Sequence, residues 1–134
     1  GICDIKLLGD DVTVISYGLM LHLCLEAARE LENEGISVEV VDLRTLRPLD
    51  SQTILESATK TGKVLIVHED TKALGIGGEV SAIISEGAFE HLDAPIKRLA
   101  GPEVPAMPFS PTLESEFLID TEQIKKSLRD LVEY

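Results

Sequence analysis

Basic residues are scarce in this chain, and cysteine, clustered histidine and long apolar runs are scarcer still. Lys and Arg number 12 against 24 Asp and Glu, a formal net charge of −12 at pH 7. A field of that sign repels phosphate backbones and anionic lipid heads, so neither nucleic acid nor a membrane surface is expected as a partner. A basic protein partner or plain solubility would each account for the excess acid. Cys3 and Cys24 are the only cysteines, with no CxxC spacing and no grouped histidines beside them. They predict two free thiols in a reducing compartment rather than a disulfide frame or a metal site. No apolar stretch approaches the roughly 20 residues that a membrane helix needs. The opening segment has neither the basic nor the long apolar part of a secretory signal, and it begins at Gly1 rather than Met. A soluble segment of a longer chain is therefore expected.

What is present suits one folded domain: 134 residues, of which 44% are hydrophobic. Five short β-branched stretches read as strands: Ile5 to Leu8, Val12 to Ser16, Ser37 to Asp42, Val64 to His68 and Ile96 to Ala100. Val64 to Val67 is apolar without alternation, as in a strand covered on both faces by helices. The three residues Gly9, Asp10 and Asp11 are too few for a crossover helix, so the first two strands are expected to form a hairpin with the first antiparallel to the rest. Met20, Cys24, Ala27 and Leu31 recur at helical spacing up to a stop at Gly35. Asp50 offers an N-cap for a shorter helix ending near Gly62, and a third helix is expected from Gly78 to Phe89. Pro102, Pro105, Pro108 and Pro111 predict a shaped loop. Asp120 with Gln123 then makes a capping box for a last amphipathic helix. The order predicts an α/β fold, a three-layer α/β/α sandwich whose five-stranded sheet is mostly parallel with its first strand antiparallel.

Three polar groupings stand out. Gly75, Gly77 and Gly78 precede a helix, where free N–H groups could hold an anion, but Glu69 and Asp70 follow the strand and no Lys completes a phosphate loop. Tight turning or close helix packing is the simpler use of such glycines. His68, Glu69 and Asp70 sit at the end of a central strand, where open α/β sheets place functional groups. An imidazole beside carboxylates could serve as a base. With no nucleophile on a strained turn nearby, the cluster reads instead as a subunit edge or a solvated strand end. Arg44 and Arg47 follow the third strand on one rim, placed to pair internally with Asp42 or Asp50 or to clamp carboxylates of a partner.

The segments 11–18, 41–50, 60–69 and 92–98, with Leu-Arg-Thr-Leu-Arg-Pro-Leu-Asp at 43–50 and the His68-Glu69 strand end, resemble one family in the right order across nearly the whole chain. That family is the C-terminal, transketolase-C-type domain of the beta subunit of 2-oxo acid dehydrogenases. The His-Glu-Asp strand end and Tyr134 resemble the branched-chain (2-oxoisovalerate) members more than the pyruvate ones, with a pyruvate or acetoin dehydrogenase beta subunit as the alternative. The resemblance implies a thiamine-diphosphate and Mg enzyme that decarboxylates a 2-oxo acid and acylates a lipoyl group. It also implies that the cofactor site lies in the alpha subunit or region and in the preceding beta domain, so that this segment supplies no catalytic, cofactor or metal residue. What it implies for the segment is packing in an α2β2 assembly and docking of the peripheral-subunit-binding domain of the acyltransferase. Asp93 and Tyr134 map near that docking surface, with His68, Glu69, Arg44 and Arg47 as subunit-contact candidates. The compartment implied is cytoplasmic, or the mitochondrial matrix in a eukaryote. A stand-alone interaction module, or a small-anion binder at Gly75 to Gly78, remains the reading of another class.

Overall fold

The computed structural model describes residues 2–44, 48–71, 75–101 and 119–134. The proline-spaced loop and Arg47 lie outside the described residues. In chain order the elements are β1 (Asp4–Leu7), β2 (Val12–Ser16), α1 (Leu19–Glu32), β3 (Val38–Asp42), α2 (Ser51–Thr61), β4 (Val64–Thr71) and α3 (Ile76–Gly87). A 3-10 turn (Phe89–His91), β5 (Lys97–Gly101) and α4 (Thr121–Glu133) follow. They form the expected three layers around one five-stranded sheet of order β1-β3-β2-β4-β5. The pairs β2·β3, β2·β4 and β4·β5 are parallel, and β1·β3 is antiparallel.

Alternation along the strands divides the core in two. Val12, Val14, Val38, Val40, Leu65 and Val67 meet α1 and α4, through Cys24, Leu31, Ile124 and Leu128. Ile15, Val41, Val64 and Ile66 face the other way, onto Ile54 and Ala58 of α2 and Val80 and Ile84 of α3. Both cysteines are buried and free; burial pushes the Cys3 thiol up to about 11 and that of Cys24 up to about 12, so neither is thiolate at neutral pH.

The first strand is antiparallel as expected, but it does not form a hairpin with β2. It pairs with β3, which lies between them. Every residue of β2 is buried, which requires a strand on each side, and β3 and β4 supply them. Asp4 and Lys6 in β1 need solvent and take the edge, where they pair with each other at 2.7 Å. The link from β1 to β2 therefore crosses the beginning of β3. A Cβ on Gly9 would lie 2.2 Å from the Val38 carbonyl carbon, so only glycine fits at the crossing. Flanking bonds hold it, from Asp10 N–H to Ser37 Oγ at 3.0 Å and from Ser37 N–H to Asp11 Oδ2 at 2.7 Å.

Beside this crossing, Glu39 is buried on the α2 face with 1% exposure. Its Oε1 accepts from Gly9 N–H at 3.2 Å and Lys60 Nζ at 2.7 Å, and its Oε2 from Ser57 Oγ at 2.5 Å. Thr13 and Thr61 extend the network, with their hydroxyls 2.9 Å apart. Nothing in the spacing of the sequence singles this carboxylate out.

The caps fall where the sequence places them. Asp50 Oδ1 accepts from Thr53 N–H at 3.2 Å, Gly62 closes α2 at φ 71°, and Asp120 with Gln123 forms a complete capping box. The α3 helix starts earlier than expected, at Ile76, and stops at Gly87, short of Phe89.

Gly9→Ala should lose more than about 3 kcal/mol in urea unfolding, since the main chain of β3 cannot yield. Gly35→Ala, at φ 82° with open space around it, should lose only about 1 kcal/mol. The Thr53 hydroxyl, then the Cys3 and Thr53 amides, holds the Asp50 carboxyl below its ordinary range. The unfolded chain thus takes up that proton first, and the stability contributed is complete above the ordinary carboxyl range and lost as pH falls through the lower folded value. Asp50→Asn, which keeps a cap acceptor, should flatten the fall in melting temperature on acidification below about pH 4.

Candidate functional site

The two ends of the sheet differ in what they offer. At the C-terminal ends of the parallel strands, β2 and β4 are neighbours whose following helices, α1 and α3, leave to opposite faces. This is the switch point at which open α/β sheets commonly bind ligands. Ser16 Oγ donates to the Val67 carbonyl at 2.7 Å across it. His68 lies here but is fully buried, and Glu69 beside it is exposed. Adjacent residues of an extended strand point to opposite faces, so the two do not make a proton-transfer pair.

The glycines explain how His68 is covered. A Cβ on Gly77 would lie 2.3 Å from His68 Nε2, so α3 rests directly on the imidazole because position 77 has no side chain. A Cβ on Gly78 would come within 3.3 Å of an Arg98 guanidinium nitrogen. Of the uses expected for Gly75, Gly77 and Gly78, close helix packing is what the geometry shows at Gly77. None of the three has a positive φ.

On the same rim, Arg44 is exposed and has φ 56°, the one positive value outside glycine among the described residues. Its amide, not its guanidinium, bonds Asp42, at 2.9 Å to Oδ1. The Asp50 carboxylate is occupied by Cys3 N–H at 3.0 Å and the Thr53 hydroxyl at 2.6 Å. Internal pairing of the Arg44 side chain with Asp42 or Asp50 is thus not what the structure shows, and the guanidinium stays on the surface. Among the described residues no group of His, Cys, Asp and Glu converges to hold a metal ion.

The opposite end, near the starts of β4 and β5, carries an open groove of about 730 Å³. It brings together Asp93 and Tyr134, which the sequence separates widely, and adds Ser85, Phe89, Glu90 and Leu92. Two contacts assemble it. Asp93 N–H donates to the Gly62 carbonyl at 2.7 Å, fixing the segment before β5 to the end of α2. Lys63 Nζ donates to the Val132 carbonyl at 2.9 Å, fixing the last turn of α4 to the start of β4. Gly62 is favoured twice, by its φ of 71° and because a Cβ there would lie 2.9 Å from the His91 carbonyl oxygen and against the Asp93 carboxylate.

Charge around the groove is unevenly balanced. Asp130 of α4 is held by Lys126 at 3.0 Å and Lys97 at 3.4 Å, chiefly the Lys126 bond keeping its carboxyl below the ordinary range. Glu90 and Asp93 are exposed, and among the described residues no cation stands within ion-pair distance of either. The groove is therefore able to receive a cation. Phe89, expected as the end of the third helix, lies instead on the 3-10 turn and is 72% exposed. The Gly87-Ala88 break before it was the available signal.

A protein-family model described as the transketolase C-terminal domain matches residues 1–124. The chain is 55% identical over 134 residues to the 2-oxoisovalerate dehydrogenase subunit beta of Bacillus subtilis (strain 168), covering 100% of this chain and 41% of that protein. It is 43% identical to the pyruvate dehydrogenase E1 component subunit beta of the same organism, with the same coverage. With the mitochondrial pyruvate dehydrogenase E1 component subunit beta of Dictyostelium discoideum the identity is 46% over 116 residues, 87% of this chain and 32% of that one. Among solved structures, a split gene transketolase described as an inactive beta4 tetramer superposes with a TM-score of 0.84 at 28% identity, over 98% of this chain and 41% of that chain. The chain thus spans about two fifths of the length of the relatives it matches over its whole extent.

If α3 is seated by the absence of a side chain at 77, Gly77→Ala should cost about 2–3 kcal/mol in chemical unfolding. The same change in a His68→Ala background should cost at least about 1 kcal/mol less, a coupling that a double-mutant cycle reads directly.

Proposed function

As the chain belongs to the transketolase C-terminal domain family, we propose that it is the C-terminal domain of a 2-oxo acid dehydrogenase beta subunit, of the branched-chain (2-oxoisovalerate) type. The type rests on identity: 55% with the 2-oxoisovalerate subunit against 43% with the pyruvate subunit of one organism. In the intact enzyme the reaction is oxidative decarboxylation of a 2-oxo acid with transfer of the acyl group to lipoyl, in the cytoplasm or the mitochondrial matrix. Thiamine diphosphate supplies the carbanion chemistry there. No chemical step is assigned to the residues described here, among which no group of three or more His, Cys, Asp and Glu converges.

The domain's own work is assembly. Beta subunits pack with each other and with alpha subunits in an α2β2 particle, for which exposed Glu69 and Arg44 on the C-terminal rim are the candidate contacts. The groove at the other end receives the basic peripheral-subunit-binding domain of the acyltransferase. The observation that carries this reading is that Asp93 and Tyr134 line one open groove beside a second exposed carboxylate. On a chain of net charge −12, unpaired carboxylates on a rim raise the rate of encounter with a cationic partner and fix its orientation.

Titrating the binding domain into the assembled dehydrogenase should show Asp93→Ala binding roughly tenfold more weakly at low salt, with a smaller difference at high salt. Unchanged affinity at low salt would remove Asp93 from the docking surface.

A further inference from the structure

Resting on the docking reading above, we infer that Phe89 is the apolar anchor of that surface, and that the partner meets it with an apolar side chain flanked by cations rather than with charge alone. The chain is poor in aromatics, with three Phe, two Tyr and no Trp. Two of these five, Phe89 and Tyr134, are 72% and 74% exposed and line the same groove. A domain that fills its core with aliphatic residues has placed two large rings together in water. Exposed aromatic surface rimmed by polar groups is the composition of protein contact sites, where one or two buried rings carry most of the affinity.

The backbone presenting Phe89 is fixed. Ala88, 1% exposed, donates to the Ile84 carbonyl at 2.8 Å, His91 to Ala88 at 2.9 Å and Leu92 to Phe89 at 3.2 Å. Ala88 and Leu92 take the inward positions against the α2 and α3 core, so Phe89 between them is turned outward. With the backbone beneath the ring ordered before binding, only side-chain freedom is lost, which spares part of the cost that weakens flexible contacts.

Charge selects the partner. Glu90 follows Phe89 directly, Asp93 lines the same groove, and both are exposed with no cation among the described residues within ion-pair distance. Of the other exposed apolar residues among those described, Ile5 and Leu8 flank Asp4 and Lys6, which already neutralise each other at 2.7 Å, and Ile2 and Leu19 line no part of this groove. The groove thus pairs an apolar centre with an uncompensated negative rim, and its complement is a basic surface with an apolar side chain at its middle.

The test uses the assembled dehydrogenase and the isolated binding domain of its acyltransferase, titrated at about 0.05 M and about 0.5 M salt, where screening separates charge from apolar contact. Phe89→Ala should weaken binding about tenfold or more at both salt concentrations. Phe89→Leu should keep most of the affinity, and decarboxylation with an artificial electron acceptor should be unchanged in both. Asp93→Ala should lose affinity mainly at low salt. If Phe89→Ala binds within about twofold of the unsubstituted enzyme while Asp93→Ala is weakened, the anchor is refuted and the docking reading stands. If neither variant alters binding, or the unsubstituted enzyme does not bind, the docking reading fails and the anchor with it.

Discussion

A carboxylate almost without access to water organises this domain. Glu39 is joined by the link between β1 and β2 through Gly9, and by α2 through Ser57 and Lys60. Leaving such a charge unpaired in the interior costs several kcal/mol, and pairing it roughly offsets that cost. Its effect is on register more than on net stability. Moving β3 by one residue would turn Glu39 onto the face of α1 and α4, among Val12, Val14 and Leu65, with no partner there. One register therefore satisfies both the apolar alternation and the carboxylate, and that register sets where α2 lies on the sheet.

From α2 the constraint reaches the groove. The helix ends at Gly62, whose carbonyl holds the Asp93 amide and whose missing side chain leaves room for the Asp93 carboxylate. Lys63, the next residue, holds the last turn of α4 and so places Tyr134. The surface proposed for docking is thus built on the rigid end of a helix that the core has already positioned. Mobile loops would give a looser surface and a larger ordering penalty on binding.

Most of the fold was legible because it rests on local rules. The apolar runs of the inner strands, the Asp50 cap, the Gly62 stop and the Asp120-Gln123 box each need only a few neighbouring residues, and each appears as read. The readings that changed depend on residues far apart. A hairpin from Gly9-Asp10-Asp11 is sound local chemistry, but whether β3 enters between two strands depends on what β2 must have at its sides. The third helix is expected to reach Phe89, but it ends at Gly87, where Ala88 packs inward and a 3-10 turn follows. Glu39 looks like any surface acid in a β-branched strand until Lys60 and Ser57 are brought over it. For the site, family resemblance reached Asp93 and Tyr134, while Phe89 and Glu90 beside them carried no motif.

The division between the sheet's ends bears on what kind of part this domain is. An α/β sheet of this order would ordinarily use its switch point for a ligand. Here that crevice holds a buried imidazole covered directly by α3, a helix allowed that close by Gly77. The open, acid-rimmed groove lies at the other end, away from where such sheets carry chemistry. A domain arranged this way can hold a partner at one end and its own assembly at the other, and neither task disturbs the register that Glu39 sets between them.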